Sequence, residues 1–304
     1  MDYRPGRRQV LGGIAAAATA TVLSGGGQAF AQGTRLPGGE FADRLCTLER
    51  SHSARLGVFA QDAATGRTVA YRADELFPMC STFKTIAVAA VLRDLDRDGT
   101  FLAERVHYTT RDVTESGYAP ITGLPANIEA GMTVEELCAA AIQYSDNAAA
   151  NLLLRELGGP EAITRFCRSI GDRVTRLDRW EPALNSAEPG RPTDTSSPHA
   201  IGLTYARLTF GNALDTSDRR HLTGWLLNNT TGTNRLRAGL PTTWAVAEKT
   251  GTGSYGTTND VGVTWPPGGG PIVVAVLSTK HVAGAPADEP LIAETARLVA
   301  SALA

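Results

Sequence analysis

The chain has 304 residues, 42% hydrophobic and 20% charged, with a formal net charge of −2. That composition supplies a full core and excludes a disordered polyelectrolyte, and a slightly acidic balance leaves no basic footprint for nucleic acid. Outside the N-terminal stretch no apolar run is long enough to span a bilayer.

Residues 1–31 read as a cleavable export signal: Arg7-Arg8, a small-residue stretch from Gly12 to Gly27, and the A-x-A site Ala29-Phe30-Ala31. Adjacent arginines before a weakly hydrophobic stretch favour the twin-arginine route over Sec. Removing the segment leaves 26 basic and 30 acidic residues, a mature charge of −4. The first cysteine is Cys46, so no lipid-anchor cysteine lies near the cleavage point. The expectation is an exported monomer, periplasmic or extracellular, without a stable membrane anchor.

A helical lead-in runs from Phe41 to about His52. Leu56, Val58 and Ala60 then alternate, and Ala63-Ala64-Thr65-Gly66 turns the chain into Val69-Ala70-Tyr71, which predicts a hairpin. Helical periodicity dominates the middle: Phe83 to Leu95, Val134 to Gln143, Ala148 to Leu157 stopped by Gly158-Gly159-Pro160, Ile201 to Leu208, and His221 to Leu227. Three strand candidates follow, at 244–247, 261–264 and 272–277, and a helix from about Leu291 to Ala302 closes the chain. The simplest architecture is α+β: one antiparallel sheet built from both chain ends and covered by the terminal helices, with an all-α domain inserted. The boundaries expected are 32–74 and 228–304 for the sheet domain and 75–227 for the helical one, with the site where they meet. Four cysteines allow two bridges, but Cys138 and Cys167 sit in apolar helical patterns, and a chain of this length folds without staples, so free thiols are expected.

Only three of the 29 basic residues are lysines, and two of these lie in Ser81-Thr82-Phe83-Lys84 and Lys249-Thr250-Gly251. An amine can lose its proton in a protein interior and act as a base, whereas a guanidinium cannot. Ser81 precedes an apolar-periodic run, which places it in the first turn of a helix with Lys84 one turn on and on the same face. There the dipole and free N–H groups favour an alkoxide or oxyanion. Ser145-Asp146-Asn147 falls between two helical patterns, where such residues commonly just cap a helix. Lys249-Thr250-Gly251-Thr252 ends a strand candidate with small residues, along which an extended substrate can lie. The five histidines form no metal-binding spacing and no G-x-S-x-G is present, so neither metal nor cofactor is expected.

S-x-x-K, S-D-N and K-T-G in this order are the signature of class A β-lactamases and penicillin-binding proteins, and the chain resembles the class A serine β-lactamases over nearly all of 34–302. The resemblance identifies 179–194, beginning Arg179-Trp180-Glu181-Pro182, as the family's omega loop. It implies that Glu181 and Asn185 hold the hydrolytic water, that Arg179 pairs with Asp194, and that the Glu181–Pro182 peptide is cis. It further implies Ser81 as nucleophile and Lys84 or Glu181 as acylation base. The oxyanion hole is assigned to the Ser81 and Thr252 N–H groups, proton delivery to the leaving nitrogen to Ser145, the substrate carboxylate to Lys249 and Thr250, the acylamide to Asn147, and the cleft wall to Tyr118. Two departures stand out. The usual arginine after K-T-G is Thr258 here, and Arg235 takes the alternative position for that role. Cys80 precedes the nucleophile, but the position that bridges to it in one carbapenemase group is Gly253. The implied activity is hydrolysis of penicillins and cephalosporins, conferring antibiotic resistance. The alternatives are a penicillin-binding DD-peptidase, which lacks the Glu181–Asn185 loop, and a sensor that stays acylated.

Overall fold

The computed structural model describes residues 38–303; the export signal expected over 1–31 lies outside the described residues. Helix α1 (Gly38–Ser51) leads into the expected hairpin, β1 (Ala54–Asp62) and β2 (Thr68–Tyr71). Asp62 builds its turn by accepting from the N–H groups of Ala64 and Thr65 and from the Thr65 hydroxyl. A short β3 (Phe77–Pro78) precedes a 3-10 turn, Cys80–Thr82, which runs straight into α2 (Phe83–Ala90). The helix expected to reach Leu95 is regular only to Ala90: Val91–Leu95 widens into a π turn in which Asp96 N donates to Val91 O at 3.0 Å.

The stretch without a sequence signal folds as β4 (Arg105–Val106), α3 (Thr110–Ser116), α4 (Pro125–Ala130) and β5 (Met132–Thr133). Next come α5 (Val134–Gln143), α6 (Asn147–Glu156), α7 (Glu161–Ser169), β6 (Thr195–Ser196), α8 (Pro198–Thr209), α9 (Thr216–Leu227) and the single-turn α10 (Leu236–Gly239). Three strands, β7 (Ala245–Thr252), β8 (Thr258–Trp265) and β9 (Ile272–Lys280), and helix α11 (Glu289–Leu303) complete the chain.

The α+β sheet expected from both chain ends is the one observed, five antiparallel strands in the order β2-β1-β9-β8-β7. The N-terminal hairpin joins the C-terminal strands through the β1/β9 ladder, from Ala54 opposite Lys280 to Asp62 opposite Ile272. Leu56, Val58 and Ala60 face α1 and α11, packing with Phe41, Leu45, Leu291 and Ile292. Phe59 points the other way, into the cluster with Phe77, Ile86, Ile201 and Tyr205. A side chain of this size contributes about 1.5–3 kcal/mol by burial, and a one-residue slip would exchange the two faces, so the alternation pins the register. All four cysteines are free.

Candidate active site

Ser81 lies in the turn entering α2, beside the N–H groups that no helical carbonyl can satisfy. Cys80 before it holds a left-handed φ of 46°, a conformation costing a non-glycine residue about 1–3 kcal/mol and concentrated at functional sites. One turn on, Lys84 is wholly buried. Its Nζ donates to Ser145 O at 2.8 Å and to Asn147 Oδ1 at 2.6 Å, and stands 3.0 Å from Glu181 Oε1. Burial lowers the proton affinity of Lys84 below that of an ordinary lysine, and the Glu181 carboxylate opposes the shift.

The Ser145-Asp146-Asn147 stretch divides its labour. Asp146 is the helix cap, accepting from Ala149 N at 2.9 Å and tying down Ile121 N, Thr122 N and the Thr122 hydroxyl. Ser145, at a left-handed φ of 58°, and Asn147 flank it and line the cleft. The helix cap and the cleft wall are therefore made by different residues of this motif.

Strand β7 supplies the opposite wall. Lys249-Thr250-Gly251 lies in the last four residues of the strand, as expected, still paired to β8 by a ladder that runs to Thr252 opposite Thr258. Lys249 is wholly buried, and its Nζ donates to Ser145 Oγ at 3.0 Å. Burial, with the charges of Lys84 and Arg235, pushes its pKa well below the ordinary lysine value.

Glu181 comes in on the 179–194 segment. Asp194 organises that segment: its carboxylate accepts from Arg179 Nε at 2.6 Å, Asp178 N at 2.8 Å and Arg179 N at 2.9 Å. The Glu181–Pro182 peptide is cis. Glu181 Oε1 accepts from Ser81 Oγ at 3.3 Å, and Asn185 Nδ2 donates to Oε2. One carboxylate oxygen thus touches both the serine hydroxyl and the buried amine.

Arg235 is 5% exposed. Nη1 donates to Gly251 O at 3.0 Å and Asn259 O at 2.9 Å, Nη2 to Thr252 Oγ1 at 2.7 Å, and Nε to Glu289 Oε1 at 3.2 Å. A guanidinium has five N–H donors, so one Nη2 hydrogen remains for the cleft. Thr258 is buried and spends its hydroxyl on Gly256 O. A Cβ on Gly253 would stand 2.7 Å from Cys80 Sγ, so the two positions face each other although no bridge can form.

A cleft of about 290 Å³ gathers Ser81, Tyr118, Ser145, Asn147, Asn185, Arg235, Thr250 and Thr252 on its wall, with Lys84, Glu181 and Lys249 buried beneath. Tyr118 is 58% exposed and stands at the rim.

Residues 40–303 match the model of the β-lactamase enzyme family. The chain belongs to the β-lactamase enzyme family. It is 64% identical over 300 residues to a β-lactamase of Streptomyces lavendulae, covering 99% of this chain and 98% of the relative. With a β-lactamase of Mycobacterium tuberculosis the identity is 45% over 307 residues, 98% of each chain. The solved β-lactamase from Streptomyces albus G matches with a TM-score of 0.86 at 62% identity, over 87% of this chain and 99% of that one. An ancestral class A β-lactamase matches at 0.81 and 53% identity, over 85% and 98%.

Three residues that line this β-lactamase cleft or hold Glu181 from behind carry no motif. Thr231 lines it and shares a 2.6 Å hydrogen bond with Thr250 Oγ1; nothing in its neighbourhood in sequence marks it. Asn151 Oδ1 accepts from Glu181 N at 3.0 Å, while its Nδ2 donates to Glu181 O at 2.9 Å and to the hydroxyl of the third residue, Ser116, at 3.0 Å. Asn151 had a readable signal, being the polar residue one turn after Asn147 in an otherwise apolar helical run.

Proposed function

We propose that the protein hydrolyses the β-lactam ring of penicillins and cephalosporins through an acyl-enzyme on Ser81, and so confers resistance to these antibiotics. The observation that carries the reading is the Glu181 carboxylate, 3.3 Å from Ser81 Oγ and 3.0 Å from Lys84 Nζ at the floor of a β-lactamase family cleft.

In acylation Ser81 Oγ attacks the lactam carbonyl carbon while its proton leaves to a base. Glu181 and Lys84 stand one hydrogen bond apart, so either can be the first acceptor and the step keeps a base when one is lost. The oxyanion collects at the N–H groups of Ser81 and Thr252. As the ring C–N bond breaks, the nitrogen takes the Ser145 hydroxyl proton, which Lys249, donating to Ser145 Oγ at 3.0 Å, replaces; the proton taken from Ser81 passes on from Glu181 or Lys84 to make good the one Lys249 gave, so Glu181 is a carboxylate again before deacylation. The substrate carboxylate binds Lys249, Thr250 and the remaining N–H of Arg235. Asn147 donates a second amide hydrogen to the acylamide and Tyr118 closes the rim.

Deacylation has no such redundancy. A water held between Glu181 and Asn185 loses a proton to Glu181, its oxygen attacks the ester carbonyl, and Ser81 departs with a proton. The scheme uses the chain's own side chains and backbone N–H groups, with no metal or cofactor. Of the boundaries expected, the described residues 38–74 and 228–303 belong to the sheet lobe and 75–227 to the helical lobe, and the mature monomer acts outside the cytoplasm after removal of 1–31.

Mass spectrometry with a simple penicillin, alongside product formation, tests the nucleophile. Ser81→Ala is expected to lose both adduct and turnover; hydrolysis by that variant would overturn the assignment. Wild type that stays acylated without making product would move the reading to a peptidase or sensor.

A further inference from the structure

Two carboxyl groups that this reaction does not use are wholly buried, Glu248 on β7 and Asp260 on β8. Glu248 stands opposite Gly262 and Asp260 opposite Thr250, so the two acids are diagonal neighbours on one face of the sheet. Side chains on such a diagonal of an antiparallel pair can come within reach of one another. Glu248 Oε2 and Asp260 Oδ1 have no other partner. Carboxylates only accept, so two adjacent buried oxygens without a donor are costly unless a proton lies between them. Burial and the Glu248 charge hold Asp260 well above the usual carboxylate range, which makes it the proton carrier.

The other donors to the pair come from one segment. Arg237 Nε donates to Glu248 Oε1 at 2.6 Å, Asn229 Nδ2 to the same oxygen at 3.4 Å, and Leu236 N to Asp260 Oδ2 at 3.0 Å. Gly232 packs so closely that a Cβ there would stand 1.8 Å from Glu248 Oε1. This same segment carries Thr231, bonded to Asn229 Oδ1 at 2.9 Å, and Arg235, whose N–H donates to Gly232 O at 2.9 Å.

We propose that Glu248 and Asp260 share one proton, and that the protonated pair clamps segment 229–237 to the sheet and thereby positions Thr231 and Arg235 against the substrate carboxylate. The proposal rests on the reading of Arg235 as a carboxylate ligand. The charges facing the pair are Arg237, Arg235 with its α11 partner Glu289, and Lys249 on the neighbouring side of β7; Tyr205 of α8 faces Asp260. Loss of the proton leaves two adjacent anions. Glu248 is driven away from Asp260 toward Gly232, and the Arg235 guanidinium is drawn from the cleft toward Asp260.

The test is KM and kcat for a penicillin, from neutral pH to about pH 10, on wild type, Asp260→Asn, Asp260→Leu and Arg235→Ala. Asp260→Asn keeps a donor between the groups at every pH, so its neutral KM stays within about threefold of wild type and rises less steeply with pH. Asp260→Leu strands Leu236 N and Glu248, raising KM about tenfold or more with kcat changed less. An Asp260→Asn profile that tracks wild type, or a folded Asp260→Leu with wild-type KM, overturns the clamp. If the leucine variant does not fold, the asparagine profile alone decides. Arg235→Ala separates the two readings: unchanged KM there removes Arg235 as a ligand. Carbon-13 carboxyl titration then still decides the pair, with a protonated Asp260 at neutral pH supporting it and two ordinary acidic titrations overturning it.

Discussion

Replacing Glu181 by glutamine isolates the step that separates a hydrolase from a trap. The side chain is buried, yet its neighbours tolerate an amide. Lys84 keeps Ser145 O at 2.8 Å and Asn147 Oδ1 at 2.6 Å, and the new carbonyl can take the place of Oε1. The amide nitrogen would meet Asn185 Nδ2, donor to donor, but Asn185 Oδ1 has no partner, so a flip of Asn185 restores the bond. The expected loss is about 1–2 kcal/mol, a few degrees in Tm, against about 3–5 kcal/mol when one partner of a buried ion pair is simply deleted. The chemistry responds differently. Loss of the only deacylation base slows that step by about 10²–10⁴-fold, whereas acylation retains Lys84, whose proton affinity falls further without the Glu181 charge. Stopped-flow hydrolysis should therefore show a burst of one equivalent followed by slow turnover, and mass spectrometry a persistent adduct on Ser81. Turnover within about tenfold of wild type would refute Glu181 as the base, and a folded variant that forms no adduct would refute Lys84 as a sufficient acylation base.

Asp194→Ala removes the acceptor of Arg179 and of two backbone N–H groups; a loss of about 3–5 kcal/mol in thermal denaturation is expected, with a longer-lived acyl adduct, and an unchanged Tm would show the loop to be held elsewhere. Thr231→Val breaks the 2.6 Å bond to Thr250 and should raise KM by about three- to tenfold at nearly constant kcat, read by steady-state kinetics. Asp112 completes the capping box of α3 with the N-cap Thr109, and although partial burial works against it, the Thr109 hydroxyl and Arg155 hold its carboxyl at about 2, below its ordinary 3.8. Between those values the unfolded chain binds more protons, so the contribution is present above 3.8 and lost as pH falls through about 2. Asp112→Asn should remove about 1–2 kcal/mol at neutral pH and flatten that acid limb in denaturant titrations, once partial exposure is allowed for.

The sequence by itself determined the elements and the chemistry-bearing motifs, because both are local. A period of two marked β1, a period near 3.6 marked α5 and α6, and Ser81 and Lys84 share a helix face because residues three apart always do. Where local signals compete it was less decisive: the π turn after Ala90 depends on packing around α2. The tertiary structure alone decided what meets across the chain. Glu181 lies 100 positions from Ser81, Thr250 lies 19 from Thr231, and Asn259 lies 24 from the Arg235 that bonds its carbonyl. Glu248 and Asp260 look in sequence like ordinary strand carboxylates, and only the covering segment 229–237 makes them a dry pair. Burial raises the cost of an unpaired charge from little to several kcal/mol, and burial is a property of the assembled layers rather than of any stretch of sequence.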